Sequence, residues 1–121
     1  FGVESPSQIV SRVHSAEWDR ARVADLAPRV LDVSEKGDPV AMSLIDDLHR
    51  ELAESVVSVA GRLKLTEPIP LALTGGLLLN SACFRNGFLR MLPAGRFEPR
   101  SVFEPARGAL RILTKSIPAG G

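Results

Sequence analysis

An uncharged and almost entirely apolar stretch lies near the middle of the chain, at 69–80. It is interrupted by Thr74 and the paired glycines Gly75 and Gly76, and it ends at Asn80. Periodicity alone does not distinguish a buried strand from a buried helix in so short a run, but the nearby prolines and the glycine pair favour a strand. Strands buried on both faces are typical of parallel or mixed sheets with helices on each side. The pattern therefore predicts a fully buried strand that passes through a glycine turn into a helix.

Helical periodicity marks the first third of the chain. A short helical pattern opens at Ser5 and Pro6, a residue pair suited to a helix start. The next apolar set has the spacing of one helix face: Val23, Leu26, Ala27, Val30 and Leu31. Pro28 falls inside this set, where it removes a backbone donor and clashes with the preceding turn. We expect a kink or two short helices there, the second beginning near Pro28.

The longest helix is predicted at 39–63. Gly37 ends the preceding helix, Asp38 caps the next one and Pro39 occupies its first turn. The apolar residues of this helix share a face and are expected to be buried: Ala41, Leu44, Ile45, Leu48, Leu52, Val56, Val59, Ala60 and Leu63. Asp46 and His49 have the spacing of two metal ligands, but two ligands are too few for a site. We therefore expect His49 on the solvated face.

Three further elements are predicted after the glycine pair. Apolar residues at helical spacing indicate a helix that ends at Pro93 and Gly95: Phe84, Phe88, Leu89 and Leu92. A second short strand is predicted at 101–103. A last helix is predicted at 106–115, and its apolar residues are expected to face inward: Ala109, Leu110 and Leu113.

This order of elements predicts an α/β protein in three segments. We assign a helical segment to 1–37, an α/β segment with a small mixed or parallel sheet to 38–115, and a frayed tail to 116–121. Two strands make a poor sheet on their own. The first residue is Phe1 and not Met, so we expect a fragment whose remaining strands precede it.

The bulk composition excludes several classes of function. With 15 basic and 14 acidic residues, interspersed along the chain, the formal net charge is +1. We therefore expect neither a nucleic-acid partner nor a membrane partner. Cys83 is the single cysteine. It allows no intramolecular disulfide, which is typical of a cytoplasmic protein, and we expect it to be a small buried residue that faces the strand.

The glycine pair is the first candidate for a binding site. In parallel sheets, ligands bind beyond the carboxyl ends of the strands. Glycine has no Cβ, so Gly75 and Gly76 can adopt positive φ and let a ligand approach the backbone closely. Taken by itself, such a pair after a strand is more often a simple tight turn.

Three motifs in this order resemble the C-terminal half of the sugar-kinase and actin-like ATPase superfamily. They are Gly-Asp-Pro-Val-Ala at 37–41, Leu-Ala-Leu-Thr-Gly-Gly at 71–76 and Pro-Ala-Arg-Gly-Ala-Leu at 105–110. The nearest member is the family of N-acetylglucosamine kinase and the BadF/BadG/BcrA/BcrD ATPases. The likeness covers nearly the whole chain, from 26 to 113.

The resemblance implies a partial ribonuclease-H-like C-terminal domain that closes with a second domain over ATP-Mg and a small sugar. It implies that Thr74, Gly75 and Gly76 lie against the ribose and α-phosphate side of the nucleotide, and that Asn80 lines the adenosine pocket. The implied activity is phosphorylation of a sugar hydroxyl, with an amino sugar such as N-acetylglucosamine as the acceptor. Homodimer formation is left open.

The chain departs from the family in its catalytic machinery. Two phosphate loops and the catalytic aspartate precede this region in the family, so we assign no catalytic residue and no metal ligand here. Phosphoryl transfer depends on positioning the phosphates, Mg²⁺ and the nucleophile, so the chain alone is expected to be inactive. Two alternatives stay open. One is a BadF/BadG-type ATPase that activates a partner enzyme, and the other is a non-catalytic helical interaction domain with a structural glycine pair.

Overall fold

The computed structural model describes residues 5, 7–9 and 20–117. The helices and strands after residue 19 follow one another as α1 (Arg20–Ala24), α2 (Leu26–Glu35), α3 (Pro39–Arg62), β1 (Ile69–Leu73), α4 (Gly76–Asn80), α5 (Ala82–Met91), β2 (Phe97–Ser101) and α6 (Pro105–Ser116). Residues 7–9 are helical, and the rest of the first predicted helix lies outside the described residues. The coarse prediction of an α/β protein with a small parallel sheet is confirmed.

The chain divides into two compact units, Phe1–Asp46 and Asp47–Gly121. The first unit holds α1, α2 and the beginning of α3. The second unit holds the rest of α3, both strands and the last three helices. Across the described ranges, no helix combines the length and the apolar character needed to cross a bilayer.

The helix break predicted around Pro28 lies at Asp25. The N–H of Asp25 donates to the carbonyl of Ala21 at 2.9 Å and ends α1. Because α2 begins at Leu26, Pro28 falls in its first turn, where the missing N–H of proline removes no helical hydrogen bond. Of the two alternatives that the sequence left open, a kink or two short helices, the structure has the second.

The predicted stop and restart between α2 and α3 is confirmed. Gly37 has φ +90°, and the N–H of Asp38 donates to the carbonyl of Val33 at 3.2 Å, as in a Schellman motif. The Asp38 carboxylate Oδ1 then accepts a hydrogen bond from the N–H of Ala41 at 2.9 Å. This bond caps α3, which has Pro39 as its first residue.

The buried face of α3 differs from the predicted apolar stripe. Its buried residues are Ala41, Ile45, His49, Ala53 and Ala60. Four large residues of the predicted stripe are instead between 42% and 63% exposed: Leu44, Leu48, Val59 and Leu63. The covered face follows the alanines, which allow a neighbouring element to approach the helix backbone closely. The prediction that His49 lies on the solvated face is therefore wrong, since it sits on the alanine side.

The two strands form a parallel pair joined through α4 and α5. Ile69 pairs with Phe97, and Leu73 with Ser101. The second strand was predicted at 101–103, and this placement is wrong, because β2 is Phe97–Ser101. Its sequence, Phe-Glu-Pro-Arg-Ser, has no apolar alternation. It becomes a strand through its hydrogen bonds to β1, which a single-sequence pattern does not show.

Within the described chain, β1 is covered on one face. Ile69 and Leu73 are buried and Leu71 is half-buried, whereas Pro70 and Ala72 are exposed. The prediction of a strand buried on both faces is therefore wrong for the described residues. Side chains alternate along a strand, and α3 and α5 supply core residues to one side.

The core of the second unit lies where α3, β1 and α5 meet. Ala53, Leu73 and Phe88 form its buried centre, and Phe88 is 1% exposed. Partly buried aliphatic residues surround this centre: Leu52, Val56, Leu71, Leu78, Leu89 and Leu92. The predicted helix with Phe84, Phe88 and Leu89 on its packed face is confirmed, and it ends at Met91, so Leu92 packs against the core from just beyond the helix.

Every residue of α6 is exposed. Leu110 and Leu113, which were predicted to face inward, are 60% and 55% exposed, and Ala109 is exposed as well. This prediction is wrong because helical periodicity identifies an apolar face but does not supply the element that covers it.

Candidate functional site

The predicted nucleotide-binding residues lie at the carboxyl edge of the parallel sheet. The carbonyl of Leu73, the last residue of β1, accepts a hydrogen bond from the N–H of Val102 at 2.7 Å. Thr74 and Gly75 follow directly, and β2 ends at Ser101 on the same edge because the strands are parallel. This is the edge at which parallel sheets bind ligands.

Gly75 has a backbone conformation that requires glycine. Its φ is 93° and its ψ is 153°, a combination that residues with a Cβ adopt only at a cost. A Cβ built on Gly75 would have no atom within 4 Å, so the backbone sets the requirement and crowding does not. The predicted glycine turn is confirmed at this residue.

Gly76 has no such requirement within the described chain. It is the first residue of α4, and a Cβ built on it would lie 3.8 Å from Nδ2 of Asn80, an ordinary van der Waals contact. Alanine would fit and has a higher helix propensity than glycine. Packing therefore does not explain this glycine, as it does not explain Gly61 on α3 or Gly108 on α6. Gly76 differs from these two in lying directly after the carboxyl end of β1.

The four predicted residues share one exposed region. Thr74, Gly75, Gly76 and Asn80 are all exposed. Gly76 and Asn80 lie one helical turn apart at the two ends of α4, and the carbonyl of Gly75 accepts a hydrogen bond from the N–H of Leu79 at 3.0 Å. The region offers free backbone, one hydroxyl and one carboxamide, which are groups that bind by hydrogen bonding.

Arg85 holds the far end of α4. Its Nη1 donates to the carbonyl of Leu78 at 3.0 Å and more weakly to that of Leu79 at 3.4 Å. Ser81 Oγ accepts from the N–H of Phe84 at 3.1 Å and caps α5. Arg85 therefore links the carboxyl end of α4 to α5. Sequence reasoning missed it, because its acceptors are backbone carbonyls across a helix boundary and leave no residue-type signal.

A second feature of this unit is the contact of His49 with Gly87 and Phe84. His49 is 4% exposed, and its ring centroid lies 4.6 Å from that of Phe84 at an interplanar angle of 51°. A Cβ built on Gly87 would lie 2.8 Å from Nδ1 and 2.9 Å from Nε2 of His49. Gly87 thus leaves the space that the imidazole occupies, and His49 packs α3 against α5.

Cys83 and the potential metal ligands were the other candidates for reactive groups. Cys83 is exposed, so the prediction of a buried residue is wrong. The buried face of α5 carries Phe84, Gly87 and Phe88 instead. Over the described ranges, no three or more His, Cys, Asp or Glu side chains are grouped so that they could hold a metal ion.

Similarity to known proteins does not assign this site, because no protein-family model, curated protein or solved structure matches the chain. The resemblance to the N-acetylglucosamine kinase family therefore stays a prediction. The structure shows an exposed glycine turn at the carboxyl edge of the two parallel strands. Within this turn, neither packing nor backbone conformation requires a glycine at Gly76.

Proposed function

We propose that this chain is the C-terminal, nucleotide-binding part of an ATP-dependent sugar kinase with a ribonuclease-H-like fold, similar to N-acetylglucosamine kinase. The observation that carries the proposal is Gly76. It lies beyond the carboxyl end of β1 and is exposed, and the described chain has room for a Cβ there.

In this proposal each of the four residues contacts ATP in a way that its exposed position permits. The backbone at Gly75 and Gly76 lies against the ribose and α-phosphate, where a side chain would keep the nucleotide at a distance. Thr74 offers a hydroxyl beside them, and the Asn80 carboxamide both donates and accepts hydrogen bonds, as an adenosine pocket requires. The chain supplies one wall of the cleft. The groups that position Mg²⁺ and the sugar hydroxyl are assigned to the other domain.

Gly76→Ala tests the proposal. Because the added methyl group fits the chain itself, the protein should fold normally, while the methyl group should weaken ATP binding roughly tenfold by crowding the ligand. The affinity is measured by isothermal titration calorimetry on the protein expressed from its complete reading frame. Gly61→Ala, which places a methyl group in open space on α3, is the matched control and should bind ATP like the parent.

An unchanged ATP affinity in folded Gly76→Ala would contradict a nucleotide role for this glycine and favour the non-catalytic interaction domain. If the parent protein binds ATP, the rate of ADP release distinguishes a sugar kinase from an activating ATPase. ADP release that requires an amino sugar supports the kinase, whereas release without sugar that rises with a partner enzyme favours the activating ATPase.

A further inference from the structure

The apolar face of α6 (Pro105–Ser116) is open to solvent. Its large apolar residues Leu110 and Leu113, with the flanking Ile117, are spaced by three and four positions, so they share one face. They are 60%, 55% and 59% exposed, respectively. Ala106 and Ala109 complete the face and are exposed as well. Ile112, the other large apolar residue of α6, is 72% exposed and lies off this face, on the side of the basic residues.

The other face of α6 is cationic. Arg107, Arg111 and Lys115 are spaced by four, and 105–116 contains no acidic residue. Arg107 donates to the Glu104 carboxylate at 2.9 Å. Neither Arg111 nor Lys115 forms an ion pair with any residue in the described part of the chain. Two exposed cations thus lack a counter-charge beside an exposed apolar face.

We propose that α6 lies flat on the surface of an anionic phospholipid bilayer. A helix with a strongly apolar face, a basic polar face and low overall hydrophobicity is the kind that binds in the plane of the bilayer interface. Leu110, Leu113 and Ile117 enter the boundary between head groups and acyl chains, and Arg111 and Lys115 bind lipid phosphates. An anionic bilayer complements both the apolar face and the cations of α6. Nucleic acid would complement the cations but not the apolar face.

This surface goes beyond the proposed nucleotide site and does not depend on it. It also departs from the expectation of no membrane partner, which rested on the net charge of +1. That value averages acidic and basic segments, whereas attraction to lipid head groups decays within about 10 Å at ordinary salt. Only the charge close to the bilayer counts, and on α6 that charge is entirely positive.

Vesicle flotation tests the proposal on the protein expressed from its complete reading frame. We expect binding to phosphatidylcholine vesicles that contain phosphatidylserine, and little binding to phosphatidylcholine alone or at high salt. Arg111→Gln with Lys115→Gln should weaken binding roughly thirtyfold, since each cation near the surface contributes about a fivefold effect. Leu110→Gln with Leu113→Gln should weaken it by on the order of a hundredfold. Arg62→Gln, an exposed helical cation outside α6, should bind like the parent.

All these side chains are exposed, so far-UV circular dichroism should show the parent fold for every variant. Equal binding to neutral and anionic vesicles, or full binding by the Leu110/Leu113 variant, would overturn the proposal. Analytical ultracentrifugation tests the alternative that a second copy of the chain packs on the apolar face of α6. A dimer that dissociates in the Leu110/Leu113 variant, without vesicle binding by the parent, would show that a second copy of the chain covers this face.

Discussion

Gly75, Gly76 and Gly87 all lack a side chain, but a Cβ would act differently at each. At Gly75 it would meet no atom, yet φ is 93°, so the backbone itself would be strained. At Gly87 it would meet the buried His49 ring. At Gly76 it would meet only Nδ2 of Asn80, at 3.8 Å. Of these three glycines, only Gly76 is required neither by the backbone conformation nor by a close contact. Gly61 and Gly108 share that property, but Gly76 alone among them lies at the carboxyl edge of the sheet.

Gly87→Ala should lower the free energy of unfolding by about 1–3 kcal/mol, because an added methyl group cannot fit beside a buried imidazole without displacing it. Urea unfolding followed by far-UV circular dichroism measures the change. Gly61→Ala adds the same methyl group to α3 in open space and should be neutral or stabilising. If the loss comes from the contact, His49→Ala combined with Gly87→Ala should be less destabilising than the sum of the single changes. Additive effects would contradict this explanation.

At the scale of the element, α3 has its first turn determined by a local hydrogen bond. The Asp38 carboxylate accepts from the N–H of Ala41 at 2.9 Å, and Gly37 ends the previous helix with positive φ. Both interactions span only a few residues. The residue types Gly-Asp-Pro at 37–39 therefore sufficed to predict this boundary.

Asp38→Ala should destabilise the protein by about 1 kcal/mol, because the first turn of α3 loses its side-chain acceptor. Asp38→Asn keeps an acceptor oxygen at the same position and should stay close to the parent. Urea midpoints of the three proteins provide the measurement. An Asn variant as unstable as the Ala variant would show that the cap hydrogen bond does not account for the loss.

For the whole molecule, the second unit depends on the contact of α3, β1 and α5. Phe88 lies at its centre and is 1% exposed, next to Ala53 and Leu73. Phe103 is 74% exposed and lies just after β2. Replacing each phenylalanine by alanine therefore removes the same ring from a buried position and from an exposed one.

Phe88→Ala should reduce the free energy of unfolding by about 3–5 kcal/mol, because it removes a buried ring and leaves a cavity among the core residues. Phe103→Ala should change it by no more than about 0.5 kcal/mol. Denaturant unfolding compares the variants, and amide hydrogen exchange should show lost protection in β1 and α5 for Phe88→Ala alone. Similar midpoints for the two variants would mean that this cluster is not the stabilising core.

The strand, glycine turn and helix that carry the candidate site were predictable from the sequence, but their surroundings were not. The apolar run and Gly75 indicated a strand, a turn and a helix, and these elements are present at 69–80. The support that Arg85 gives to α4 through two carbonyls was not predictable, since backbone acceptors carry no residue-type signal. The position of β2 was likewise missed, because pairing with β1 creates that strand.

By itself the sequence determined the features that arise from contacts a few residues apart. A helix break near Pro28, the stop at Gly37, the cap by Asp38 and the turn at Gly75 follow from local sterics and hydrogen bonds. Tertiary structure alone decided which faces are covered: it buries His49 beside Gly87, and it leaves Cys83 and the apolar face of α6 exposed. The physical reason is that burial depends on what packs against a residue, and distant segments of the chain supply that neighbour.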